Sequence, residues 1–176
     1  MYEFEDREHW HKRWKLPHYS GINRYQMITY ALVDSLPARS GYSHEGESDL
    51  EKRKRLEDFY DKGFGSCLLQ YNEYAKIVIE AWLFFDQKRY DLIAYVVMPS
   101  HVHVLIKTHE AFALDSIVHS WKSFTSHEIQ KREKEKELKK VKSLAGETPT
   151  LPGIWQRQYW DRFIRDENHY IKAIEY

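Results

Sequence analysis

Cysteine, long apolar runs and net charge are all scarce in this chain, and each scarcity excludes a class of protein. Cys67 is the single cysteine among 176 residues, which excludes an intrachain disulfide and suits a cytoplasmic protein. No apolar run approaches the roughly 20 residues that span a bilayer, so no membrane partner is expected. The first six residues lack the basic and apolar pattern of a secretory signal.

The formal net charge is zero, because 27 Lys and Arg balance 27 Asp and Glu. This balance argues against a generally basic nucleic-acid binder but leaves room for a local basic patch. Residues 121–165 hold eleven Lys or Arg and six Asp or Glu, so the charge is polarised along the chain. The six Trp and thirteen Tyr are expected to lie mostly in the core.

Hydrophobic periodicity and turn residues predict an N-terminal arm, residues 1–20, followed by one domain, residues 21–176. The arm is expected to be solvated or loosely docked. The predicted strands are Tyr25–Val33, Tyr90–Met98, His101–Thr108 and Ile154–Ile164. The predicted helices run from Ser48 to about Tyr60, from Leu68 to Gln87, from Leu114 to about Lys142 and from Glu167 to Tyr176.

The element order of strand, helix, strand hairpin, helix, strand and helix predicts an α+β fold of the ferredoxin-like kind. Its antiparallel sheet would carry helices mainly on one face and leave part of the other face accessible. Residues about 130–143, in the third helix, are charged nearly all round and are expected to form a solvated helical extension.

Two histidines stand out on the predicted strand that follows Pro99 and Ser100. Side chains alternate along a strand, so His101 and His103 share one face while Val102 and Val104 share the other. Two imidazoles on one strand face can converge on a metal ion. The alternative is that they are ordinary polar residues of an open sheet face.

The last predicted helix carries a tyrosine away from its apolar stripe. Tyr170, Ile171 and Ile174 form that stripe, and Tyr176 falls almost opposite to it. The phenol of Tyr176 is therefore a candidate reactive group, or else an exposed side chain without a role. Candidate phosphate-binding residues precede this helix and occupy the polar side of the third helix. They are Lys122, Ser123, Thr125, Arg157, Arg162 and Arg165.

The motifs that contain these residues resemble those of a known family. Met98–Leu105 (MPSHVHVL) resembles the MPNHVH hallmark of the small tyrosine HUH transposases, with Ser100 standing where that family usually has Asn. Trp121–Thr125 (WKSFT) and Trp155–Glu167 (WQRQYWDRFIRDE) are similar to two further motifs, which are typical of the bacterial REP-associated tyrosine transposases. Shorter likenesses are Leu16–Tyr19, Asp34–Pro37 and Arg89–Leu92. The motifs occur in the family's order from about residue 16 onward.

This resemblance implies an enzyme that cleaves and rejoins single-stranded DNA beside a hairpin. His101 and His103 would bind a divalent ion, Mg²⁺ or Mn²⁺, and Tyr176 would be the nucleophile that forms a 5′-phosphotyrosine. The resemblance also implies a cytoplasmic, nucleoid-associated bacterial protein that is a monomer or a homodimer. In the family an Asn four residues after the tyrosine supplies a third metal ligand, and this sequence ends at Tyr176.

Two alternatives remain open at the level of sequence. The first is a catalytically impaired module that binds DNA hairpins and lacks the third metal ligand. The second is a ferredoxin-like domain with structural histidines that binds RNA or acts as a protein adaptor. A response of the histidines to added metal would separate the second alternative from the other hypotheses.

Overall fold

A computed structural model describes residues 10–13, 16–19, 23–37, 44, 46–141 and 153–175. These residues form a four-stranded sheet, a two-stranded hairpin and four α-helices. The strands are β1 (Trp10–Arg13), β2 (Leu16–Tyr19), β3 (Tyr25–Ala31), β4 (Tyr90–Val97), β5 (His101–Thr108) and β6 (Trp160–Phe163). The helices are α1 (Asp49–Asp61), α2 (Asn72–Phe85), α3 (Leu114–Val141) and α4 (Glu167–Ile174).

The four-stranded sheet has the order β4-β5-β3-β6, and each neighbouring pair is antiparallel. The central strands β3 and β5 are therefore flanked by the edge strands β4 and β6. Each half of the domain contributes one central and one edge strand, which is the ferredoxin-like arrangement. The predicted α+β fold is confirmed.

The two faces of the central strands pack against different helices, because neighbouring side chains of a strand point in opposite directions. One face forms the main core with α2 and α3. The central-strand side chains in this core are Ile28, Tyr30, Val102, Val104 and Ile106. On the other face, Ala31 packs against Leu56 and Tyr60 of α1. Helix α1 thus covers part of the face that carries the two histidines.

Helix α1 begins with a capping box. The Glu51 backbone N–H donates to the Ser48 hydroxyl at 3.3 Å, and the Ser48 backbone N–H donates to Glu51 Oε2 at 2.9 Å. Both bonds satisfy backbone N–H groups that a helix leaves unpaired at its start.

The main core contains a hydrogen-bonded network of aromatic side chains. The Tyr90 hydroxyl donates to the Trp82 carbonyl at 2.6 Å and accepts from Trp121 Nε1 at 2.9 Å. Trp82 Nε1 donates to the Tyr30 hydroxyl at 3.1 Å. The network joins α2, α3, β3 and β4 while it satisfies polar groups in an apolar interior.

The N-terminal arm contains structure that its sequence did not predict. Strands β1 and β2 pair as an antiparallel hairpin, and His18 Nδ1 lies 2.5 Å from Asp161 Oδ1 of β6. The His18 ring also stacks on Tyr159 at 4.4 Å. These contacts over a long sequence separation dock the hairpin on the sheet, and local sequence patterns carry no signal of them.

Helix α2 and strand β6 begin several residues later in the structure than the sequence predicts. Helix α2 begins at Asn72, because Tyr71 has extended backbone angles and separates α2 from a 3₁₀ turn at Leu68–Gln70. Strand β6 begins at Trp160, although Trp155 and Gln156 still bond to the end of β3 through the Leu32–Trp155 bridge and the Gln156 N–H. The backbone between these two paired stretches leaves the sheet.

Helix α3 reaches Val141, as the sequence predicts, but its charged half is not simply solvated. Lys136 Nζ lies 2.6 Å from Glu73 of α2, and the Tyr74 hydroxyl bonds to Glu133 and Lys136. Such pairs stabilise the contact between α2 and α3 only modestly, because they are partly exposed. Among the described helices, none combines the length and the apolar composition that a membrane crossing requires.

We expect Tyr90→Phe to lower the free energy of unfolding by about 1–3 kcal/mol, because it leaves buried polar groups of Trp82 and Trp121 without their partner. Urea unfolding followed by circular dichroism measures the change. Tyr95→Phe is the matched control on the same strand, since Tyr95 is 45% exposed; its effect should stay within about 0.5 kcal/mol. Equal losses in both variants would contradict the proposed importance of the network.

Candidate active site

The two histidines lie side by side on the central strand β5. His101 is 1% exposed and His103 is 2% exposed. Their ring centroids are 4.8 Å apart and their planes are nearly perpendicular, at 88°. The predicted alternation is confirmed, because Val102 and Val104 lie in the main core on the opposite face. Since α1 covers the histidines, they do not lie on an open sheet face.

A serine hydroxyl selects the tautomer of His101. Ser100 Oγ donates to the Tyr60 carbonyl at 2.8 Å and lies 3.1 Å from His101 Nδ1. Because the single proton of the Ser100 hydroxyl is donated to the Tyr60 carbonyl, Ser100 Oγ accepts from His101 Nδ1–H. The other ring nitrogen, Nε2, then carries the lone pair. This arrangement orients a histidine in the way that metal sites require.

His103 is oriented by a hydroxyl of the neighbouring strand. His103 Nδ1 lies 2.8 Å from Thr29 Oγ1, and the two residues are paired in the register of β3 and β5. Burial lowers the pKa of His103 to about 3, with smaller contributions from His101 and Arg53. Burial also lowers the pKa of His101, while the Asp61 carboxylate opposes that shift. Both imidazoles are therefore neutral at neutral pH.

The end of α1 forms a wall of the histidine site. The Tyr60 ring stacks on His101 with centroids 5.4 Å apart, and the Tyr60 hydroxyl donates to Gln156 Oε1 at 3.0 Å. Asp61 Oδ1 lies 3.6 Å from His101 Nε2, which is longer than a hydrogen bond. The sequence predicted α1 but gave no motif that would place Tyr60 and Asp61 against the histidines.

The histidine pair fits a divalent cation in ring orientation and charge. Neutral imidazole is the form that binds metals, and hydroxyl groups lie beside both Nδ1 atoms. Within the described ranges, no group of three or more His, Cys, Asp or Glu side chains could hold a metal ion. Among the described residues, the candidate metal ligands are therefore the two histidines.

A cavity of about 90 Å³ adjoins His103 and is lined by ionisable side chains from three other elements. Arg53 and Glu57 come from α1, Arg162 comes from β6, and His169 and Lys172 come from α4. Of these residues, only Arg162 is predicted as a site residue from the sequence. The others were missed because α1 and α4 carry ordinary charged helical sequences. Arg165 lines a neighbouring cleft of about 480 Å³ together with Arg162.

The remaining predicted phosphate-binding residues lie away from the histidines. Lys122 and Arg157 line a cleft of about 590 Å³ with His18 and Tyr159. Lys122 Nζ donates to the carbonyls of Gln156 and Arg157 at 2.6 and 3.0 Å, and burial lowers its pKa to about 8. Arg157 is exposed. The predicted DNA-binding residues therefore divide into two groups.

The two hydroxyl residues of this predicted set differ in accessibility. Ser123 is exposed on α3. Thr125 is fully buried; its hydroxyl donates to the Trp121 carbonyl at 2.7 Å and accepts from Trp155 Nε1 at 2.8 Å. In this arrangement the Thr125 hydroxyl is not accessible to a phosphate, because α3 turns that side toward the core.

The side of helix α4 that faces the cavity is not the apolar stripe that the sequence predicts. His169, Lys172 and Ala173 line the cavity, whereas Ile171 and Ile174 are 45% and 48% exposed. Tyr170 alone of the stripe packs inward, edge-on against Tyr25. The predicted nucleophile Tyr176 lies outside the described residues.

Comparison with known proteins gives one family match. The model of the family described as "Transposase IS200 like" matches residues 71–173, which is more than half of the chain. An uncharacterized protein of Haemophilus influenzae is 29% identical over 122 residues, covering 61% of this chain and 64% of the relative. This chain thus matches less than two thirds of that relative's length.

A solved structure shares the fold. The structure of a REP-associated tyrosine transposase bound to a REP hairpin matches with a TM-score of 0.56 and 17% sequence identity. The match covers 94% of this chain and 70% of that protein. At this identity the likeness establishes the fold, and it includes regions outside residues 71–173.

We expect Ser100→Ala to release the tautomer of His101, because the acceptor for Nδ1–H is removed. Long-range ¹⁵N–¹H NMR of the imidazole measures the tautomer, and the parent should show a protonated Nδ1. The free energy of unfolding should also fall by about 1–3 kcal/mol, since the Tyr60 carbonyl loses its donor. The exposed Ser116 provides the control variant Ser116→Ala. An unchanged His101 spectrum in Ser100→Ala would contradict the assignment.

Proposed function

The chain belongs to the IS200-like transposase family, and we propose that it cleaves and rejoins single-stranded DNA at the histidine site. The observation that carries this proposal is the pair His101 and His103, buried, neutral and presented together on β5. Hydroxyl groups from Ser100 and Thr29 orient their rings. A site that serves only to fill the core does not need two imidazoles aligned in this way.

His101 and His103 would hold the metal ion through their Nε2 atoms. A divalent cation bound there, Mg²⁺ or Mn²⁺, supplies charge that polarises a scissile phosphate. The protein's part is to fix the two rings and to keep them neutral. Tyr60 contributes by stacking on His101, and Thr29 by its hydrogen bond to His103.

Tyr176 is the proposed nucleophile. The family that the motifs resemble has its nucleophile at this position, and His169 and Lys172, which precede Tyr176 in the sequence, line the cavity beside His103. The Tyr176 phenolate oxygen attacks phosphorus and forms a P–O bond, while the bond to the 3′ oxygen breaks. The proton that the phenol gives to solvent is balanced by one that the departing 3′ oxygen takes up to become a 3′-hydroxyl. Rejoining reverses these steps, so the phosphodiester bond energy is kept in the phosphotyrosine.

Deprotonation of the phenol needs help, because an unperturbed tyrosine has a pKa of about 10. Nearby cations favour the phenolate, and Arg162 and Lys172 supply positive charge at the same cavity.

We propose a DNA hairpin with an adjoining single strand as the substrate. The solved relative carries a REP hairpin, which supports a ligand of this class. Arg162 and Arg165 lie on the histidine side and would contact the strand that is cleaved. Lys122, Ser123 and Arg157 lie elsewhere, and Arg157 is exposed in a cleft that also contains Tyr159. A second contact region of this kind suits the hairpin, with basic and aromatic side chains for backbone and bases.

Incubation of the protein with a labelled hairpin oligonucleotide and Mn²⁺ should produce a covalent adduct that survives a denaturing gel. Tyr176→Phe should abolish the adduct, because phenylalanine lacks the attacking oxygen. Tyr170→Phe is the matched control, a tyrosine of α4 that packs on Tyr25, and should retain it. His101→Ala should abolish the adduct while hairpin binding persists.

Two results would count against this function. Binding of the hairpin by the parent without any adduct would favour a module that binds DNA but does not cleave it. An adduct that persists in Tyr176→Phe would show that another residue is the nucleophile.

A further inference from the structure

The cavity beside His103 has a composition that points to an anionic ligand. Three cationic side chains line it, from Arg53, Arg162 and Lys172, against one carboxylate, from Glu57. Arg53 Nε donates to Glu57 Oε1 at 2.8 Å, and both side chains are about one-fifth exposed. That contact neutralises one cation and leaves two uncompensated.

The guanidinium groups have unused donors. Within the described ranges, Arg53 makes its hydrogen bond through Nε, and its terminal nitrogens have no hydrogen-bond partner. In the same ranges no carboxylate lies within 4 Å of the charged groups of Arg162 or Lys172. Burial lowers the pKa of Arg162, and the positive charges of Arg53 and Arg165 add to that shift. An anion between these groups would relieve the repulsion.

His169 adds a neutral donor to the same cavity. The Arg165 backbone N–H donates to His169 Nδ1 at 3.3 Å, so in the neutral ring the proton resides on Nε2. His169 Nε2 is buried and has no hydrogen-bond partner among the described residues. A buried donor without a partner is unfavourable, and a ligand oxygen would satisfy it.

The shape and chemistry of these donors fit a phosphate. A guanidinium fork matches phosphate oxygens in a bidentate geometry, and a cavity of about 90 Å³ accommodates one such group rather than a base. We propose that Arg53, Arg162, Lys172 and His169 bind one backbone phosphate of single-stranded DNA next to the histidine pair. The inference rests on the proposed function, because it assumes that the cleaved strand runs past His103.

This pocket gives α1 a role that the family match does not cover. The matched region begins at residue 71, whereas Arg53 lies on α1 at 49–61. Helix α1 would therefore position the strand from outside the shared region. Arg53 is a binding residue in this proposal, and Glu57 holds its guanidinium in place.

Salt dependence of DNA binding tests the pocket without any cleavage. A fluorescein-labelled single-stranded oligonucleotide is titrated with full-length protein in EDTA over a range of NaCl concentrations, and anisotropy reports the affinity. Arg53→Gln and Arg162→Gln should each weaken binding about 10-fold or more. Each should also reduce the slope of log K against log salt by about 0.7, the value for one phosphate contact on a single strand. Lys54→Gln removes one charge from an exposed position on α1 and should leave the slope unchanged.

A second set of oligonucleotides, each with one neutral methylphosphonate, locates the phosphate. One position should weaken binding to the parent and have no further effect on Arg53→Gln, because both changes remove the same contact. The proposal would be overturned if the salt slopes of Arg53→Gln and Arg162→Gln equalled that of Lys54→Gln. It would also be overturned if, at every methylphosphonate position, the losses of affinity from the oligonucleotide change and from Arg53→Gln were fully additive. If either Gln variant fails to fold, Arg→Lys at that position replaces it. Because lysine keeps the positive charge, the slope of log K against log salt should stay as in the parent. A reduced slope in the Lys variant would overturn the pocket.

The outcome is separable from that of the proposed function. Reduced slopes together with no covalent adduct in the parent would support the phosphate pocket and reject cleavage by Tyr176. Unchanged slopes together with a Tyr176-dependent adduct would reject the pocket and leave cleavage intact.

Discussion

Strand β5 is buried on both faces, and the rest of the molecule depends on that constraint. The side chains on its two faces are stable in different environments, since the valines favour apolar neighbours and the imidazoles favour polar ones. A register shift of one residue would exchange the sets and leave imidazole nitrogens in an apolar core, at a cost of about 1–3 kcal/mol each. Long-range hydrogen bonds oppose that shift. Thr29 of β3 bonds to His103, and Ser100, which adjoins His101, donates to the Tyr60 carbonyl of α1.

Helix α1 changes the character of the sheet face that it covers. The histidines are buried beneath it, and this burial lowers the pKa of both. The same helix brings Arg53 to one side of His103 and Asp61 to one side of His101. The packing of Leu56 and Tyr60 on Ala31 and the bond from the Tyr60 hydroxyl to Gln156 hold it in place. The histidine site is thus assembled from a strand of the family-matched region and from a helix that precedes it.

Sequence patterns predicted what depends on neighbours along the chain and missed what depends on distant contacts. The alternation of β5, the start of α1 near Ser48 and the α+β fold all follow from local periodicity and topology rules. The docking of His18 on Asp161 and the closure of α1 over His101 have no local signal. Wheel geometry placed Ile171 and Ile174 in the core, yet α4 is a short helix at the sheet edge and turns its charged side inward. Thr125 belongs to a polar stretch of sequence, but its hydroxyl is satisfied inside the core by Trp155.

The pairing of β3 with β6 sets the order in which the site can be completed during synthesis. The hairpin of β4 and β5 is local, and it brings the histidines together as soon as residues 90–108 are available. Arg162 and His169 reach the same place only after β6 has paired with β3, which joins Phe163 to Gln26. Contacts between distant segments form late in a chain that is made from its N-terminus. A partly synthesised polypeptide therefore holds the two imidazoles and Arg53 before Arg162 and His169 can join them.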